Sequence, residues 1–212
     1  MKEFLNKIRT PVKNTKIKSK IINTLLIFLL GIILGIFSKW LDNLGINDEI
    51  WWQHIIGILD LGNVFSLFGI WIFIATAISV FSKTPLRASL NVFLFFLGMT
   101  VSYHLYTIYF SGFNPKSYMI IWYVITLITP ILAFICWYAK GNGKISLIIC
   151  SGILAVMLMS SFSIGMWYFY FKSIIDTILF IGTMGILYTN PKKSVCSLLG
   201  SLIIAFGFSI LV

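Results

Sequence analysis

Long apolar runs separated by short polar breaks dominate this chain. Seven stand out, at 21–40, 55–81, 86–109, 117–139, 145–162, 165–188 and 194–212. Each approaches or exceeds the roughly 20 residues that a helix needs to cross a bilayer. The pattern predicts an all-α, polytopic membrane helix bundle of about seven transmembrane helices. Residues 21–212 form a single transmembrane domain on this reading, and residues 1–20 form a basic cytoplasmic segment ahead of it. The second run is longer than a bilayer requires, so its first part, Ile55 to Gly62, is expected to be interfacial or tilted.

Local chemistry marks several helix starts. Thr84-Pro85, Asn114-Pro115 and Asn190-Pro191 each place a capping side chain ahead of a proline. The Thr or Asn oxygen accepts from an unpaired backbone N–H, and proline at the first helical position has no N–H to leave unpaired. Pro130 falls inside the fourth run and is expected to kink it, with Thr126 and Thr129 satisfying the freed carbonyl. Gly31 and Gly35 form a GxxxG face in the first run, which permits close helix packing.

Composition strengthens the membrane reading. The chain has 212 residues, of which 59% are hydrophobic and 10% charged. A soluble domain is nearer 25% charged. The net charge of +10 is not a nucleic-acid signature here, because the basic residues flank the apolar runs. Seven lie in the N-terminal segment, and Lys83, Arg87, Lys140, Lys144, Lys192 and Lys193 follow the second, fourth and sixth runs. With seven spans these thirteen share one side, and the other side has only Lys39 and Lys116. The positive-inside rule then puts the N-terminus in the cytoplasm and the C-terminus outside. A six-span arrangement is the alternative, but losing a middle span would strand Lys192 and Lys193 on the outer side. The first run has no small-residue cleavage pattern after it and reads as an uncleaved span. The abundance of Ile, Phe, Lys and Asn points to a bacterial source and hence to the cytoplasmic membrane. The basic segment is expected to attract anionic lipid.

The few polar residues within the runs are the candidate chemistry. Asp60 and Asn63 lie in the second run, Tyr103 and His104 in the third, Lys172 and Asp176 in the sixth. Charged groups in a span are costly and need partners or water. Lys172 and Asp176 are four apart and are expected to pair on one helix face. Counting helical rise from the outer ends places all six in or just below the outer half of the bilayer. That co-location predicts a polar ligand or ion pocket open to the outside; the competing reading makes these residues separate structural contacts. The aromatic run Trp167–Phe171 reads as an interfacial belt. The cysteines Cys136, Cys150 and Cys196 read as packing thiols.

No catalytic, cofactor or metal motif is present. There is no HExxH, GxSxG, P-loop or GxGxxG, and the six acidic residues are too few for carboxylate-rich metal sites. His104 and Cys150 would lie at opposite depths, which argues against a Cys-His dyad.

The stretch Ser82-Lys83-Thr84-Pro85-Leu86-Arg87-Ala88, then Gly98 to Tyr103, Trp122 and Pro130 to Trp137, resembles an uncharacterised family of small bacterial multi-pass membrane proteins. The resemblance covers spans two to five. It implies a compact inner-membrane bundle and carries no activity.

Three functions follow as expectations. The first is a small transporter or substrate-binding membrane subunit using the outer pocket. The second is a non-transporting protein, such as an immunity or resistance factor or a membrane component of a signalling or export complex, with a protein partner or a second copy on its helix faces. The third, a minority reading, is an intramembrane enzyme.

Overall fold

In the computed structural model, residues 2–12, 16–164 and 167–211 are described. The chain is 81% helical, and the all-α reading holds. A short amphipathic start, α1 (Lys2–Ile8), leads into α2 (Ile17–Asp42). Three pieces follow: α3 (Trp51–Ile58), α4 (Leu61–Ser66) and α5 (Phe68–Phe81). Then come α6 (Pro85–Phe110) and α7 (Lys116–Trp137), a 3-10 turn at Tyr138–Lys140, and α8 (Gly143–Ser161). A hairpin of β1 (Phe162–Ile164) and β2 (Phe169–Phe171) precedes α9 (Ile174–Leu187) and α10 (Pro191–Leu211). The two strands are antiparallel, with Ser163 opposite Tyr170.

Among the described residues, five helices are long and apolar enough to cross a membrane: α2, α6, α7 with its 3-10 extension, α8 and α10. The second and sixth runs differ from the expected full spans. Each supplies only a 14-residue helix, α5 and α9, about 21 Å at 1.5 Å per residue. The hydrocarbon core is about 30 Å thick. Asp60 breaks the second run by adopting a left-handed conformation, φ 50°, a region that Asp tolerates better than most residues. Leu67 breaks it again by being extended, ψ 162°. In the sixth run, part of the aromatic stretch, Phe169–Phe171, pairs as a strand, and Phe169 stacks on Phe162 at 5.1 Å. The helix starts only after Ser173, whose hydroxyl accepts from the Ile175 N–H.

Two of the three proline-marked starts are side-chain capped. Thr84 Oγ1 accepts from Arg87 N at 3.2 Å, and Asn190 Oδ1 accepts from Lys193 N at 2.8 Å. At the third, Pro115 itself is the cap residue and no side chain caps the helix, because Asn114 is engaged elsewhere. Helix α7 runs through Pro130 unbroken. Proline removes the donor to the Thr126 carbonyl, and Thr129 Oγ1 supplies one at 2.8 Å.

Packing divides the helices into two lobes. One gathers α2, α6 and α7 around Phe95, Phe96, Met99 and Trp122. The other gathers α8, α9 and α10 around Leu154, Met157, Phe180 and Ala205. Helix α5 touches both, giving Trp71 to the first core and Val80 to the second. In the first lobe, Gly31 and Gly35 lie directly against the α6 backbone at Phe95 and Met99, and Gly98 faces Phe28 in return.

The N-terminal segment packs on this body. Helix α2 already begins at Ile17, and α1 docks on the ends of α5, α7 and α8. Arg9 donates to the carbonyls of Trp137 at 2.6 Å and Val80 at 2.8 Å. Its guanidinium lies 4.1 Å from the centroid of the Trp137 ring. Burial pushes the Arg9 pKa below its ordinary value, but an arginine so partnered stays charged. The Asn142 N–H closes the clasp on the Ile8 carbonyl at 2.7 Å.

A side chain at Gly31 has no room against the Phe95 carbonyl, whereas Gly185 faces open space. Gly31→Val is therefore expected to cost about 1–3 kcal/mol of stability by overpacking, and Gly185→Ala little. Thermal melting of both variants in detergent checks this; equal melting temperatures would remove the α2–α6 contact from its central place.

Candidate functional site

The six expected pocket residues hydrogen-bond to different partners, while Lys172 and Asp60 both lie within Coulombic reach of Asp176. Asp60 and Asn63 bond each other, Asn63 Nδ2 donating to Asp60 Oδ2 at 2.8 Å, and both are exposed. This is a local device at the α3–α4 break. His104 is held by Tyr123 and Asn114, each at 3.0 Å. Asn114 offers its carbonyl oxygen, so His104 Nε2–H donates to it, and Nδ1 accepts from the Tyr123 hydroxyl. A histidine bonded through both ring nitrogens ties α6 to α7 and leaves no nitrogen for a ligand.

Lys172 and Asp176 do not share a helix. Lys172 precedes α9, and its ammonium donates to the Met159 carbonyl at 2.7 Å. Asp176 lies in the first turn of α9 and is 2% exposed. Its Oδ1 has no partner, alone among the buried side-chain oxygens and nitrogens described. Gly69, at the start of α5, lets this carboxylate approach; a Cβ there would meet Ser160 Oγ at 2.7 Å and Asp176 Oδ1 at 3.1 Å. The N-terminal ends of both short helices thus converge on Asp176.

Of the six, only Tyr103 lines the cavity between α2, α4, α6 and α7. The Tyr103 hydroxyl donates to Asp42 Oδ2 at 2.6 Å, and Ser66 Oγ donates to Asp42 Oδ1 at 3.3 Å. Lys39 Nζ lies 3.8 Å from the same carboxylate and 5.5 Å from the Tyr103 ring centroid. The space is about 20 Å³, room for roughly one water. In the sequence Lys39 reads only as an outer-side charge and Asp42 only as one of six acidic residues. Their spacing of three, which puts them on one helix face, was the available signal.

A far larger space adjoins this cavity. Helices α7 and α8 are neighbours in sequence, but α7 packs on α6 while α8 packs on α9 and α10. The gap between them is a cleft of about 520 Å³, floored by α5 and α6, within the usual range for small-molecule sites. Its rim residues Leu132, Ile135 and Val156 are about half exposed. Polar atoms are sparse along it; Thr76, Ser79 and Thr129 contribute hydroxyls. Trp71 and Trp122 line both this cleft and the Asp42 cavity. The two spaces thus lie on either side of one pair of indoles, the smaller one polar and the larger one apolar.

No group of His, Cys, Asp and Glu with metal-binding geometry occurs among the described residues. The Cys150 thiol donates to the Ala139 carbonyl at 3.1 Å, far from His104 in partners. Comparison with protein-family models, with curated proteins and with solved structures finds no match for the chain.

Asp176→Asn is expected to raise the melting temperature, because it neutralises a buried oxygen that lacks a partner. Asp60→Asn, at an exposed pair, is expected to leave it unchanged. Differential scanning measurements in detergent decide; a lower melting temperature for Asp176→Asn would mean that the charge is held in place by its surroundings.

Proposed function

We propose that the protein is a small multi-pass transporter, or the substrate-binding membrane subunit of one, for an amphipathic molecule. The observation that carries this is the position of Trp71 and Trp122 between the Asp42 cavity and the apolar cleft. The apolar body of the substrate lies between the lobes, and its polar end faces the Trp71–Trp122 wall, behind which Asp42, Tyr103 and Ser66 surround a space of about one water. Entry is sideways from the bilayer, past the apolar rim of α7 and α8. Asp176 supports the transport reading, since a buried carboxylate in a membrane core is costly unless it serves binding or proton movement.

The proposed setting is the cytoplasmic membrane of a bacterium, as the resemblance to small bacterial multi-pass proteins implies. The chain crosses seven times, with α3–α4 completing the crossing of α5 and the hairpin completing that of α9. The N-terminus is cytoplasmic, because this arrangement alone keeps the basic loops together. The alternative, a non-transporting immunity, resistance or complex component, drew on the Gly31/Gly35 face. That face is occupied within the chain by α6, which removes its main support.

Gly152 lines the cleft, and a side chain there meets open space. Gly152→Leu is therefore expected to fill the cleft without harming the fold. Protein purified from its host is expected to carry an amphipathic compound detectable by mass spectrometry, retained by wild type and lost by Gly152→Leu. Retention by a folded Gly152→Leu variant would sink the reading. Topology is checked separately with an impermeant thiol reagent: Phe113→Cys should label on intact cells, and Lys144→Cys only after permeabilisation.

A further inference from the structure

A second cleft lies at the opposite end of the first lobe, among α2, α5 and α6. Its volume is about 560 Å³. Lys20, Lys83 and Arg87 border it, and no acidic residue lines it among those described. The far wall is apolar, formed by Leu26, Ile27 and Ile78. From Lys20 to Ile27 the α2 axis advances about 10 Å, so the charge and the apolar wall are separated along the membrane normal. Between them sit Asn23, Ser82 and Asn91. Asn91 spends one Nδ2–H on Ser82 Oγ at 3.3 Å, and its Oδ1 accepts from Thr24 at 2.8 Å. The other Nδ2–H remains for an acceptor. Arg87 uses Nη2 on the Lys20 carbonyl and on Thr24 Oγ1. Among the described residues, none accepts from its Nε or Nη1.

We propose that this cleft holds one anionic phospholipid. The headgroup phosphate sits on Lys20, Lys83 and Arg87, an ester carbonyl accepts from Asn91, and an acyl chain follows Leu26, Ile27 and Ile78. Charge complementarity selects the ligand. Three cations without a carboxylate favour a net negative headgroup, and the ammonium of a zwitterionic lipid finds no anion here. The apolar wall selects a lipid over a soluble phosphate. The site differs from diffuse attraction by the N-terminal segment, since Lys83 and Arg87 come from the α5–α6 connection. It rests on the chain being a membrane protein, and not on the transport substrate proposed above.

The test is native mass spectrometry of the full chain released from nanodiscs of equimolar phosphatidylglycerol and phosphatidylethanolamine. One phosphatidylglycerol is expected to stay bound after phosphatidylethanolamine is stripped. The double variant Lys20→Gln/Lys83→Gln is expected to lose it by about tenfold or more. A control, Lys144→Gln/Lys192→Gln, removes two exposed charges outside the cleft and is expected to keep it. Leu26→Trp fills the apolar end with the charges intact and is expected to lose the lipid as well, which covers the case of a double variant that fails to fold. Equal retention of the two lipids, or retention by both cleft variants, would overturn the proposal. So would equal loss in the control, which marks diffuse attraction, or displacement by millimolar inorganic phosphate, which marks a soluble-anion site. Gly152→Leu is expected to keep phosphatidylglycerol, so the two proposals fail separately.

Discussion

A backbone carbonyl at the end of a helix has no water to accept from inside a bilayer, so the chain itself must supply the donor. This protein meets that constraint largely with cations. Arg9 takes the ends of α5 and α7 together. Lys193 donates to the carbonyls of Ala139 and Gly141 and to Ser146 Oγ, at 2.6–2.9 Å. Arg87 takes the Lys20 carbonyl, and the Trp137 indole N–H takes that of Ser82 at 2.7 Å. Positive charge at a helix C-terminus also opposes the helix dipole. Arg9 and Lys193 thus close helix ends, and no carboxylate is paired with them or with Arg87 among the described residues.

Because those ends are closed, α5 can stop short of a full crossing and still be buried. It becomes the shared wall of two lobes rather than a span of either one. The first lobe is tight, since glycines let α2 and α6 meet backbone to backbone. The second lobe is held by larger side chains around Phe180 and Met157. Helices α7 and α8 follow their own lobes, and the cleft is the space left between them. The functional reading therefore depends on where α5 ends as much as on which residues line the cleft.

The long helices were legible because length and hydropathy suffice for them. Thr84-Pro85 marked its boundary through local chemistry that survives in the fold. The broken second run was not legible: Asp60 in a left-handed conformation and Leu67 extended are single-residue backbone choices, to which hydropathy is blind. The hairpin was hidden for the same reason, since aromatic strands and aromatic helix ends share a composition. For the candidate site, helical rise gives depth but not direction around the axis. Tyr103 and His104 are adjacent in sequence, and one reaches Asp42 while the other reaches Asn114. Lys172 failed to pair with Asp176 because the rule for helix neighbours needs both on one helix. Arg9 was counted as one charge among seven, and nothing in its surroundings foretold a partner 128 positions away.

That separation has a consequence for biosynthesis. Arg9 leaves the ribosome well before its docking surface at Trp137 and Asn142 is made. The clasp is thus among the last contacts to form, once α5, α7 and α8 are already inserted. Until then the carbonyls of Val80 and Trp137 are without that donor. The seam therefore closes only after everything from Ile8 to Asn142 has been made.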